Sequence, residues 1–252
     1  MSYHHGKFVW FEHRSNEVGK AQAFYAGLFG WSVQHIPVGE GGYDMILNGE
    51  QGIGGFTQAT GGAPTHWVSY LSVEDVDATF KTIAALGCRT MMPPTDMGPM
   101  GRAAAVTDPT GAAFALWKGA EGDRDYADTT PVGDWYWNEL WTDDDKKALD
   151  FYTRILGFDT EAMDMGPIGT YHLLKTGGVP VAGLMKSTEP KAPNMWLPYV
   201  SVADCDASVA KARSLDARLL KEPTDIPGVG RFAILQDTVG AVFAVIKGQP
   251  GM

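Results

Sequence analysis

The feature that most constrains this chain is that it contains one unit twice. The segment DPTGAAFALWKG, from Asp108 to Gly119, returns as DTVGAVFAVIKG, from Asp237 to Gly248, with seven of twelve positions identical at an offset of 129. The same offset aligns Pro94-Thr95-Asp96 with Pro223-Thr224-Asp225, Trp67 with Trp196, Tyr70 with Tyr199 and Arg102 with Arg231. Further upstream the offset falls to 127 or 128, as small loop insertions require. There Trp10 and Glu12 align with Trp137 and Glu139, Phe24-Tyr25 with Phe151-Tyr152, and Tyr43 with Tyr171. A repeat of about 120 residues is a duplicated domain rather than a solenoid unit. The boundaries that follow are an N-terminal copy at 1–119, a linker at 120–131 and a C-terminal copy at 132–252.

Each copy divides again. A strand at Phe8–Phe11 precedes a helix that Asn16 can cap and Gly30 can stop, with Val18, Ala21, Tyr25 and Leu28 on one face. Short strands at 31–36, 43–47 and 53–56 follow, separated by Gly-rich turns. A strand at Trp67–Val73, a helix from Asp75 stopped by Gly87, and strands at 88–92, 103–107 and 113–117 repeat the plan. In the C-terminal copy Thr142 or Asp143 is the expected cap. The order is strand, helix, three strands, four times over. The predicted fold is α+β, with four βαβββ modules in two pairs. The 31 glycines punctuate it.

Four such modules resemble the vicinal oxygen chelate superfamily, the glyoxalase, bleomycin-resistance and extradiol-dioxygenase group. The resemblance rests on the helix ending Phe24-Tyr25-Ala26-Gly27-Leu28-Phe29-Gly30-Trp31 and its echo Phe151 to Phe158. It also rests on the Asp108-Pro109-Thr110-Gly111 hairpin and the Val73-Glu74-Asp75 helix start. The closest likeness is to tandem glyoxalase-like proteins. The resemblance implies two paired-module domains, each curling its sheet around a ligand cavity. In metal-dependent members one ligand stands seven residues before the acidic helix start and another seven after the hairpin Asp. Here those places hold Trp10, Val68 and Ala115, then Trp137, Leu197 and Ala244. None of these side chains coordinates a metal. No cofactor is therefore expected at the usual site. A divalent metal would need atypical ligands such as Glu12 and His66.

Glu12 shares a strand face with Trp10, and Glu139 with Trp137, two residues apart in each case. A carboxylate among aromatics suits a general acid or base, or a hydrogen-bonding anchor for a ligand. Equally, Glu12 can pair with Arg102 or bond a tyrosine in a closed core. Tyr70 and Tyr199 are the expected partners of Glu12 and Glu139. Trp67, Trp196 and His66 are candidate ligand contacts in the neighbouring modules, and His172 in the C-terminal copy. Arg102 and Arg231 either bind an anionic ligand group or staple their loops to Asp96 and Asp225. No dinucleotide fingerprint and no nucleophile elbow occurs.

A net charge of −10 argues against nucleic acid and anionic membranes as partners. No apolar run approaches a membrane span. The apolar start Phe8–Phe11 is cut short by Glu12, unlike a secretory signal. Two cysteines at non-corresponding places, Cys88 and Cys205, argue for a reducing cytoplasm without disulfides. A monomer or a homodimer is expected. Three functions fit: a metal-free binder of a small organic ligand; a lyase, isomerase or dioxygenase-type enzyme, metal-free or with atypical ligands; and a non-catalytic interaction role.

Overall fold

A computed structural model describes residues 2–38, 41–124, 129–189 and 192–249. Residues 125–128 of the expected linker lie outside the described residues. The first module is β1 (Phe8–Ser15), α1 (Val18–Phe29), β2 (Ser32–Ile36), β3 (Tyr43–Asn48) and β4 (Gln51–Gln58). The second is β5 (His66–Ser72), α2 (Val76–Ala85), β6 (Thr90–Asp96), β7 (Gly101–Thr107) and β8 (Ala113–Gly119). The third is β9 (Trp135–Thr142), α3 (Asp145–Leu156), β10 (Asp159–Asp164), β11 (Thr170–Thr176) and β12 (Val179–Lys186). The fourth is β13 (Met195–Ser201), α4 (Cys205–Ser214), β14 (Arg218–Ile226), β15 (Gly230–Gln236) and β16 (Val242–Gly248).

Two eight-stranded sheets result, in the orders β2-β3-β4-β1-β5-β8-β7-β6 and β10-β11-β12-β9-β13-β16-β15-β14. The first strand of each module runs parallel to its last, and the other pairings within each module are antiparallel hairpins. A parallel pair needs a long crossover, and the helix with its two following strands supplies it. The α+β architecture of tandem modules is therefore as the repeat predicts.

Helix starts are corrected in two modules. Glu17, not Asn16, holds the N-cap position of α1, and its side chain makes no capping bond. Asn16 instead accepts a bond from Gln58. Asp144, not Thr142 or Asp143, caps α3 by accepting the Lys147 amide at 3.0 Å. Asp75 caps α2 and Asp204 caps α4 in the same way. Gly30 ends α1 in the left-handed conformation at φ 76°, where a β-carbon is disfavoured.

The chain forms two compact units. One contains Met1–Trp10, Val68–Asp125 and Trp137–Leu197, the other Phe11–Trp67, Tyr126–Tyr136 and Pro198–Met252. Each is built around a buried carboxylate that ties a hairpin to a helix. In the first, one oxygen of Asp108 accepts the amides of Thr110, Gly111 and Ala112 at 2.8–3.0 Å, together with the Thr110 hydroxyl. Its other oxygen accepts Tyr152 Oη at 3.1 Å, and Tyr152 accepts the Trp196 indole N–H at 2.9 Å. In the second, Asp237 binds the amides of Val239, Gly240 and Ala241 and accepts Tyr25 Oη, which accepts the Trp67 indole. Burial, followed by the neighbouring aspartate, pushes both tyrosine hydroxyls well above their ordinary range.

The two networks differ in one member. His13 Nε2 lies 2.8 Å from Asp237, with both side chains fully buried. The repeat places Leu140 at the position of His13, so Asp108 has no histidine counterpart. Burial raises the Asp108 carboxyl above 3.8, against the opposing hydrogen bonds from Thr110 and Ala112. A raised carboxyl stabilises the fold fully below its unfolded pKa of 3.8, and that contribution is lost as pH rises through the folded value. Asp108→Asn removes this titration while keeping an acceptor. Urea denaturation from about pH 3 to 6 is expected to show the wild type losing stability relative to the variant as pH rises. Parallel profiles would refute the assignment.

Candidate functional site

In the first unit one apolar cluster collects three of the six residues at the family's metal-ligand places. Val68, Tyr70, Ala103, Ala105 and Ala115 are buried together, with Trp10, Met91, Met92, Met97 and Trp117 packed against them. Register explains the grouping: Tyr70 pairs with Ala115, Ala115 with Ala105, and Ala105 with Met92 across four adjoining strands. Paired residues on neighbouring strands share a face. Trp10, Val68 and Ala115 thus stand in one patch with no metal-donor side chain among the three, and the residues at these places do not fit a divalent metal. Among the described residues no group of three or more His, Cys, Asp and Glu side chains is placed to hold a metal ion.

The same unit carries a polar group on the third module. Trp137, Glu139 and Trp141 alternate along β9 on one face. Tyr171 donates to Glu139 Oε2 at 2.7 Å, and Trp137 Nε1 donates to the Tyr171 oxygen at 2.9 Å. Trp141 Nε1 donates to the other carboxylate oxygen. Burial, then Glu139, holds the Tyr171 hydroxyl well above its ordinary range. Gly183 sits opposite Glu139 in register. A β-carbon there would lie 1.9 Å from the Tyr171 oxygen, so only glycine lets the tyrosine reach across.

The second unit carries the corresponding group of the first module with a different chemistry. Arg14, where the repeat has Trp141, donates from Nε to Glu12 Oε1 at 2.7 Å, and Thr57 donates to the same oxygen at 3.2 Å. Gly55 faces Glu12 in register, and the Tyr43 hydroxyl lies over it. His66 bonds the Pro64 carbonyl through Nδ1 at 2.7 Å, which assigns the proton to that nitrogen. Its Nε2 is buried with no hydrogen-bond partner among the described residues. Burial lowers the His66 pKa, with the Pro64 bond opposing, so the ring presents a neutral acceptor.

The structure thus groups Trp10 with Tyr70, Trp137 with Glu139, and Glu12 with His66, and places the other candidates elsewhere. Trp67 and Trp196 turn inward to the helix tyrosines. His172 points to the opposite face of its strand from Tyr171, with Nε2 3.9 Å from Asp145 on α3. Arg102 does not pair with Glu12 or staple Asp96; its guanidinium grips Asp77 on α2 through two nitrogens. Asp96 caps Gly98 instead. Arg231 grips Asp206 and also reaches Asp225 at 3.1 Å. Tyr199 stands beside Phe232, with ring centroids 6.1 Å apart. Sequence reasoning passed over Arg14, Thr57, Trp141 and Tyr171. The available signals were the Glu12–Arg14 alternation and the repetition of Tyr43 and Gly55 as Tyr171 and Gly183.

With this geometry in view, the class is plain: a protein of four βαβββ modules in tandem pairs. The chain belongs to the glyoxalase/bleomycin resistance protein/dioxygenase superfamily, whose profile matches residues 7–116 and 136–245. It is 39% identical over 256 residues to the Mycobacterium tuberculosis protein named "Putative glyoxylase CFP32", covering 98% of this chain and 97% of that one. It is 34% identical to the anthracycline biosynthesis protein DnrV of Streptomyces peucetius, covering 98% and 94%. The fold is similar to that of the Mn(II)-bound glyoxalase from Novosphingobium aromaticivorans, with a TM-score of 0.64 and 16% identity over 96% of this chain and 82% of that one. It is also similar to an extradiol ring-cleaving dioxygenase from B. fuscum, with a TM-score of 0.66 and 16% identity over 99% and 75%. No helix among the described residues is long and apolar enough to cross a membrane.

Proposed function

We propose that this chain binds a small aromatic ligand through side chains alone, without the metal that serves other members of the superfamily. The observation that carries the reading is the Trp10–Val68–Tyr70–Ala115 cluster, which puts apolar groups where a metal needs donors. Such a surface suits a flat ring system. Tyr70 is the proposed hydrogen-bonding group for a ligand hydroxyl, with Trp10 and Trp117 of the same cluster as further contacts. The relative named for anthracycline biosynthesis supports a polycyclic aromatic ligand.

Titration of the purified protein with 1,4-dihydroxyanthraquinone in EDTA, followed by tryptophan fluorescence, tests the reading. Saturable binding without metal is expected, and Tyr70→Phe should weaken it about tenfold, the loss of one hydrogen bond. Stoichiometric manganese or iron in the purified protein, with binding abolished by the chelator, would overturn it.

A second reading follows from His66. A neutral ring nitrogen, buried and unbonded among the described residues, is a proton acceptor in waiting. It supports a lyase or isomerase-type proton transfer on a ligand held beside His66 and Glu12. Solvent deuterium entering the ligand in wild type but not in His66→Ala would select this reading over simple binding.

A further inference from the structure

We propose that the two copies are not equivalent, and that only the N-terminal copy takes the ring system, on the alanine floor of β5, β8 and β7. The inference rests on the metal-free reading above and assigns it to one place.

The same sheet face differs between the two copies. The register is identical: Tyr70 pairs with Ala115 as Tyr199 pairs with Ala244, and Ala115 with Ala105 as Ala244 with Ile234. Ala103 pairs with Trp117 as Phe232 pairs with Ile246. At these two places the aromatic changes strand: it is Trp117 on β8 in one copy and Phe232 on β15 in the other. The exchange moves the ring. Phe232 is buried in the floor, 8% exposed, against Tyr199. Trp117 stands half-buried at the rim, with its ring 6.2 Å from Tyr70. At 105 nothing compensates: an alanine replaces an isoleucine.

The N-terminal floor is therefore three alanines on adjoining strands, walled by Trp10, Tyr70 and Trp117. Its cover is Met91, Met92 and Met97, all half-buried. Thioether side chains are unbranched and pivot, and their sulfur packs well against aromatic edges. They are a cover that a flat ligand can displace. The C-terminal copy carries Leu220, Lys221 and Ile226 at the three methionine places. The Lys221 ammonium lies over the Phe232 ring, 5.6 Å from its centroid. The face that the ligand would use is thus already occupied by the protein's own aromatic ring and a cation. An apolar floor with aromatic walls selects a planar, largely apolar ring system rather than a sugar or a phosphate.

The test transplants one floor onto the other. Isothermal titration of the whole protein with 1,4-dihydroxyanthraquinone in EDTA is expected to give one site per chain. Ala105→Ile, which copies Ile234, should weaken binding at least tenfold. Met92→Lys, which copies Lys221 on the half-exposed rim, serves if Ala105→Ile does not fold, and should weaken binding as well. Phe232→Ala with Ile234→Ala should raise the stoichiometry towards two. Two sites in the wild type, or binding untouched by Ala105→Ile and Met92→Lys, would overturn this assignment and leave metal-free binding standing. No binding by the wild type would overturn both.

Discussion

Asp237→Ala is expected to destabilise the protein by about 4 kcal/mol or more, the largest single effect in the molecule. The carboxylate partners a fully buried histidine, a buried tyrosine hydroxyl and three hairpin amides. Breaking a buried pair from one side costs roughly 3–5 kcal/mol, because the surviving group keeps its desolvation cost without its partner. Each buried amide left unbonded adds about 1–3 kcal/mol where water cannot reach it. Removing the histidine instead should cost much less. The repeat has already performed that experiment: Asp108 sits in the same amide and tyrosine cradle with Leu140 in the histidine's place. His13→Leu is therefore expected to cost less than half of what Asp237→Ala costs, measured by urea denaturation of both variants. Equal losses would mean that the amide cradle and Tyr25 alone do not sustain Asp237.

Gly183→Ala is the second large effect, an expected loss of about 2–4 kcal/mol, from overpacking together with a displaced buried hydrogen bond. The new β-carbon would meet the Tyr171 oxygen at 1.9 Å and its ring carbon at 2.4 Å, with Trp137 Nε1 at 3.1 Å. Tyr171 is a rigid side chain held between Trp137 and Glu139, so it cannot yield without giving up the bond to the carboxylate. Tyr171→Phe deletes the same bond without the clash. In a double-mutant cycle the two changes should be clearly non-additive, since both act through one interaction. Independent, additive losses would show that Gly183 serves the strand rather than the Tyr171–Glu139 contact.

Much of the architecture was legible because it is written locally. The hairpin aspartates, the helix-stop glycines and the strand alternation each act within a few residues, and the duplication let each copy check the other. The α3 cap slipped because Thr142, Asp143 and Asp144 are all competent caps and only the chain's path selects one, whereas at α1 the path puts Glu17 at the cap position without any side-chain cap. The candidate site was less legible. Trp67 and Trp196 read as ligand-facing aromatics, since a sequence states that a residue is large and apolar but not which side of its strand faces the helix. Their indoles are consumed by tyrosines 42 and 44 residues away. Arg102 failed similarly: its obvious partner Asp96 lies opposite it across a hairpin, but Asp77 on the helix offers both carboxylate oxygens to the guanidinium fork.

The sequence by itself determined the fourfold module plan, the membership of the superfamily's fold, and the absence of donor side chains at Trp10, Val68, Ala115 and their counterparts. These follow from residue identity and spacing, which need no coordinates. Tertiary structure alone decided which polar groups meet: Glu12 with Arg14 and Thr57, Glu139 with Tyr171 and Trp141, His13 with Asp237 across 224 residues. It also decided that Phe232 is buried beside Tyr199 while Trp117 is left half-buried. Strand register and packing set these contacts between segments far apart in the chain, and no local pattern encodes a distance between them.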